Sequence, residues 1–169
     1  TGGGKSLVTQ LLASVSEGLT VVIVPTIALA LDQYHAARHN LTDGAEIYCY
    51  RGELSEIERS TIIKALKDKK ARILFTSPEA ILKNPELRRI LDAAAENHDL
   101  ANVVVDEAHV VPDWGVFFRP DFQIFSIVLK KWKRESDEFI RTFLLSATLS
   151  DDVVDTLFAL FGSEGKNVQ

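Results

Sequence analysis

The first six residues of the chain, Thr1-Gly2-Gly3-Gly4-Lys5-Ser6, have the types and order needed to hold a polyphosphate. Glycines let the backbone take positive φ and turn its N–H groups inward, where a side chain would obstruct the anion. Lys5 can then reach the β- and γ-phosphates and Ser6 can offer its hydroxyl to magnesium, while a following helix points its positive end at the same charge. The run Leu7 to Val15 is suited to be that helix. The segment matches the end of a Walker A phosphate-binding loop (P-loop), so a nucleoside triphosphate with Mg2+ is the expected ligand. A glycine linker has the same composition, and the reading therefore needs a second half of the site.

Val103-Val104-Val105-Asp106-Glu107-Ala108-His109 supplies it. Three β-branched residues running into two carboxylates read as a buried parallel strand that ends at the carboxyl edge of a sheet, where α/β folds bind ligands. Asp106 can sit beside the metal and Glu107 can orient a water toward the γ-phosphate, which with the cradle is most of what phosphoryl transfer to water requires. Phe143 to Leu145, followed by Ser146-Ala147-Thr148, reads as a further apolar strand with hydroxyls at its end.

The elements that position these residues alternate along the chain. Strands are expected at 20–24, 46–50, 72–76, 102–106 and 142–146, and helices near 5–15, 27–38, 56–66, 85–95, 122–132 and 151–161. Ser55 with Glu58 forms a capping-box pattern, Ser77-Pro78 reads as an N-cap with proline at the first helical position, and Ser150 with Asp151 and Asp152 opens the last helix with favourable charge. Apolar strands alternating with helices predict an α/β fold: a parallel sheet covered by helices on both faces.

Gly-Lys-Ser, Asp-Glu-Ala-His (a DEAH box) and Ser-Ala-Thr, in this order, resemble motifs I, II and III of the superfamily two helicases and translocases. Val21 to Gln33 resembles motif Ia and Ile73 to Glu79 motif Ib, segments that touch the nucleic-acid backbone in such enzymes. Val110 to Phe122 is similar to the aromatic-rich loop of the RecQ family of DNA helicases, in its Trp-Gly, its Phe-Arg-Pro and its closing aromatic. That loop holds four aromatics within nine residues in a chain with 8% aromatic content. The sequence departs from the family at Val116 and Phe117, where RecQ-like proteins commonly have His then Asp.

The resemblance implies a RecA-like P-loop domain, the first motor domain of an ATP-dependent DNA helicase, with ATP and Mg2+ as cofactors and 3′ to 5′ movement. Thr1, Gly2, Gly3, Gly4, Lys5 and Ser6 would bind the nucleotide, Ser6 and Asp106 the metal, and Lys5 and Glu107 would act in catalysis. His109, Ser146 and Thr148 would couple the nucleotide to the rest of the motor. Pro25, Thr26, Gln33, Thr76, Ser77, Trp114, Phe117 and Arg119 would face the nucleic acid, with hydroxyls and N–H groups on phosphates and rings stacked on bases. The expected partners are single-stranded or partly duplex DNA and a second RecA-like domain of the same full-length chain, which would carry an arginine finger. Residues 1–169 are thus expected to be one motor domain, truncated at its N-terminus inside the Walker A loop, with a strand before Thr1 belonging at the centre of the sheet; the isolated chain should be nearly inactive. An RNA-directed or translocating ATPase of the same superfamily, or a nucleotide-dependent switch that does not unwind, uses the same residues.

At 169 residues, 46% hydrophobic and 25% charged, the chain can bury a core of its own. No run reaches membrane-spanning length and no signal peptide is evident, so no membrane partner is expected and a cytoplasmic setting, or a nuclear one in a eukaryote, is the simplest. The single cysteine, Cys49, reads as a core residue. The net charge of −5 argues against tight nucleic-acid binding through bulk charge. The basic clusters Lys64-Lys67-Lys69-Lys70 and Lys130-Lys131-Lys133-Arg134 fall at expected helix ends, where the helix dipole accounts for them at least as well as DNA does.

Overall fold

The computed structural model describes residues 4–40, 46–109, 120–147 and 150–162. In chain order the elements are α1 (Gly4–Val15), β1 (Leu19–Ile23), α2 (Ile27–Asn40), β2 (Glu46–Cys49), α3 (Glu56–Lys67), β3 (Ala71–Thr76), α4 (Pro78–Lys83), α5 (Pro85–Glu96), β4 (Leu100–Val105), α6 (Pro120–Glu135), β5 (Arg141–Leu144) and α7 (Asp151–Phe161). Among the described residues the strands form one parallel sheet in the order β2-β3-β1-β4-β5. β1 therefore lies at the centre, with Val22 opposite Phe75 on one side and Val104 on the other.

Alternation along the strands assigns the two layers. Val21, Ile23, Leu74, Val103 and Val105 pack with α3, α5, α6 and α7, whereas Val22, Val24, Ile73, Phe75 and Val104 pack with α1 and α2. Both faces of the central strands are covered, which is why β1 and β4 are buried along their whole lengths. The expected fold class is the one observed. Strand boundaries lie one or two residues from those expected: β4 stops at Val105 and β5 at Leu144, so Asp106 and Ser146 stand in the turns beyond.

Local chemistry explains the helix starts. Ser55 Oγ accepts from the Glu58 amide at 3.3 Å while Glu58 Oε2 accepts from the Ser55 amide at 2.9 Å, completing the capping box of α3. Ser77 caps α4 and Asn84 caps α5, each followed by a proline at the first helical position. The six-residue α4 was not among the expected helices, although its cap was. Ser150 precedes α7 without a side-chain cap hydrogen bond, so only the charge of Asp151 and Asp152 favours that start. Gly18, at φ +111°, makes the turn into β1, where a Cβ would stand 2.6 Å from the Asp99 carbonyl oxygen.

Candidate functional site

The sheet orients α1. Its last turn sits over the strand beginnings: the Arg72 guanidinium donates to the Ala13 carbonyl at 2.8 Å, and the buried Asn102 and the Arg141 guanidinium donate to Ser16 Oγ at 3.0 and 2.9 Å. A helix of twelve residues is about 18 Å long, so its N-terminus with Gly4, Lys5 and Ser6 lies at the opposite, carboxyl edge of the sheet. Asp106 reaches the same edge from β4. Thr1, Gly2 and Gly3 lie outside the described residues.

Asp106 is 2% exposed and held from two sides. Its amide donates to the Ile23 carbonyl at 2.9 Å, and its Oδ2 accepts from the Gln33 side-chain amide. Oδ1 is buried and has no hydrogen-bond partner among the described residues. A buried carboxylate oxygen left that way is costly, and a bound cation resolves it. No cluster of three or more His, Cys, Asp or Glu suited to a metal occurs among the described residues. A single buried carboxylate, with the Ser6 hydroxyl expected from the sequence, would suit Mg2+, since that ion is commonly held by few protein oxygens together with phosphates and water. The residues present fit the group expected from the sequence.

Glu107 takes the left-handed region, φ 50°, in the turn that follows. Its Oε2 lies 3.3 Å from His109 Nδ1, which is 3.0 Å from Ser146 Oγ at the end of β5. The Ala108 amide donates to the Leu145 carbonyl at 2.9 Å, locking this turn to β5. Glu107, His109 and Ser146 form one polar cluster beside Asp106, joining the ends of β4 and β5; Thr148 lies outside the described residues.

A second concavity of about 420 Å³ opens over the ends of β1, β2 and β3. Thr26, Thr76 and Ser77 line it. Thr26 Oγ1 accepts from the Leu29 amide at 3.3 Å and Ser77 Oγ from the Ala80 amide at 3.2 Å, so both hydroxyls serve as helix caps. Thr76 is 1% exposed and its Oγ1 has no partner among the described residues. Arg51, Arg59 and Lys83 bring three cations to the groove against the carboxylate of Glu79. These cations come from segments that look like ordinary loop and helix surface, and only the strand order brings them together. Pro25 is buried between β1 and α2. Gln33 is not at the groove: α2 carries it to Asp106.

Four members of the two basic clusters have partners within the fold. Lys67 pairs with Glu86 at 2.9 Å and Lys69 with Asp99 at 2.9 Å, while Lys131 lies 3.5 Å from Glu135 and Lys130 donates to the Ala159 carbonyl. Cys49 is buried in the layer under α2, and burial pushes its thiol pKa up. Phe122 is a core residue of α6, whereas Trp114, Phe117 and Arg119 lie outside the described residues. Among the described residues no helix is long and apolar enough to cross a membrane.

Comparison with known proteins places this geometry. A model of the DEAD/DEAH box helicase family matches residues 1–157. The chain is 35% identical over 123 residues to the ATP-dependent DNA helicase RecQ of Synechocystis, covering 73% of this chain and 24% of that protein. It is 38% identical over 161 residues to the ATP-dependent helicase SGS1 of Saccharomyces cerevisiae, covering 90% of this chain and 10% of that protein. The solved helicase domain of Pyrococcus furiosus Hef superposes with a TM-score of 0.61 at 20% identity over 97% of this chain and 32% of that one, a likeness of fold. The chain spans between a tenth and a quarter of these two curated relatives.

Proposed function

The chain belongs to the DEAD/DEAH box helicase family, and from that premise we propose that it is the ATP-binding half of the motor of a RecQ-like, ATP-dependent DNA helicase. One observation carries the reading: a buried carboxylate with one oxygen open for a cation shares a sheet edge with a hydroxyl-lined, cation-bearing groove. The first suits a nucleotide and the second a phosphate backbone, and a motor needs both.

The N-terminus of α1 and Lys5, with Thr1, Gly2 and Gly3, cradle the phosphates, and Ser6 and Asp106 hold Mg2+. Mg2+ held there would supply charge neutralisation for the phosphate oxygens. Glu107 orients the attacking water, its carboxylate fixed in direction by the left-handed turn and by His109. His109 and Ser146, with Thr148, pass the state of the nucleotide to β5. Across the edge, Thr26 and Ser77 with Arg51, Arg59 and Lys83 take the backbone of a single strand without reading its bases, with the buried Thr76 beneath them, and Trp114, Phe117 and Arg119 add stacking. A groove of this local charge reconciles strand binding with the net charge of −5. A second RecA-like domain of the full-length protein completes the site with an arginine finger.

The test uses the full-length protein with Glu107→Gln. Nucleotide binding should survive while turnover falls by about 10²-fold or more, the scale of a lost base or water-orienting group. Turnover near wild type removes the role given to Glu107. Stimulation of the wild-type ATPase by single-stranded DNA is expected, and stimulation by RNA alone would move the protein to the RNA-directed members of its superfamily.

A further inference from the structure

The two oxygens of Asp106 differ in their surroundings, and Gln33 makes the difference. The Gln33 amide donates to Oδ2, and Oδ1 is left buried without a partner among the described residues. The backbone of Asp106 is already fixed by its bond to the Ile23 carbonyl. What remains free is rotation of the carboxylate, and the bond from α2 removes it. The donor is neutral. An amide can orient a carboxylate and leave its full charge for a cation, whereas Arg or Lys at the same place would neutralise it and compete with the cation. Gln33 is partly buried in the middle of α2, where a hydrogen bond to solvent is also open to it.

We propose that Gln33 is a positioning residue for the divalent cation, holding Asp106 with Oδ1 presented to the metal and its charge undiminished. The proposal rests on the reading of Asp106 as a cation ligand. Residues that orient a ligand in this way typically account for about 10- to 100-fold in metal affinity. No other side-chain donor to Asp106 is found among the described residues, so loss of this one should not be made good by a neighbour.

The experiment measures Mn2+ binding to the ADP complex of the full-length protein by electron paramagnetic resonance, alongside ADP binding in EDTA and the melting temperature. Gln33→Ala should weaken Mn2+ binding by about 10- to 100-fold while metal-free ADP binding stays as in wild type. Gln33→Lys keeps a donor to Asp106 and adds an ion pair, so it guards against a variant that does not fold. A purely structural role predicts normal Mn2+ binding in that variant, and positioning without neutralisation predicts its loss. Wild-type Mn2+ affinity in folded Gln33→Ala or in Gln33→Lys overturns the proposal. Asp106→Asn separates the underlying reading: if it loses Mn2+ while the Gln33 variants keep it, only the proposal falls. If Asp106→Asn also binds Mn2+ normally, the assignment of the ligand falls and the proposal with it.

Discussion

The two outer strands of the sheet are finished differently. Both are four residues long; β2 ends one side with Glu46 and Tyr48 as its half-buried positions, and the Tyr48 hydroxyl donates to Glu46 Oε2 at 2.8 Å. β5 ends the other side with Thr142, Phe143 and Leu144 only half buried, and Leu145 beyond it is half buried too. Beside it α1 buries the polar Thr9 and Gln10 together with Ala13, while Leu7 and Leu11 are more than half exposed and Val15 is 76% exposed. A polar edge resists further pairing, and an apolar one next to exposed apolar helix residues invites it. The difference teaches that, among the described residues, the β2 side ends on polar contacts of its own while the β5 side leaves apolar surface half open.

The largest effect that sharpens this contrast concerns depth. Leu74→Ala, at a fully buried position between β2 and β1, should cost about 2 to 5 kcal/mol by chemical denaturation. Leu144→Ala, half buried on β5, should cost less than half as much; equal costs would mean that the β5 flank is as closed as the centre. A smaller effect tests the polar edge. Tyr48→Phe removes the bond to Glu46 and should cost about 0.5 to 1.5 kcal/mol. Burial, followed by the bond to and the charge of Glu46, pushes the Tyr48 pKa up to about 12 from 10.0. The folded state thus prefers the neutral phenol. Its contribution is complete below pH 10 and is lost as the pH rises toward 12, and Tyr48→Phe should flatten that alkaline loss in a pH series of melting temperatures. The smallest effect on stability is expected from Val15→Lys, within about 0.5 kcal/mol of wild type. By sedimentation the same substitution should reduce self-association, and no change there would mean that the α1 face is not adhesive.

The alternation of apolar strands with helices is legible because buried parallel strands are written as short β-branched runs, and Val103 to Val105 leading into Asp106 are enough to put the carboxylate at the sheet edge. The motif spacing could not show which surface a helical side chain faces. Gln33 belongs to the segment expected from its motif to face nucleic acid, but seven residues along from Thr26 its amide has turned to Asp106. Arg51, Arg59 and Lys83 carry no local pattern, and they meet only because β2 and β3 are neighbours. The exposure of β5 was equally hidden, since an apolar strand reads the same whether or not it has a second neighbour.

The position of β1 also sets a schedule for synthesis. Of the described strands it comes first in the chain, yet it pairs with β3 and with β4, whose register partner for Leu19 is Leu100. At about 5 to 20 residues per second, the roughly eighty intervening residues take some 4 to 16 s to emerge. For that time Leu-Thr-Val-Val-Ile, an apolar and uncharged run of high strand propensity, has no second strand to pair with and is a natural client for a chaperone. Among the described strands, the one at the centre of the sheet is the one whose nascent form waits longest for its second neighbour.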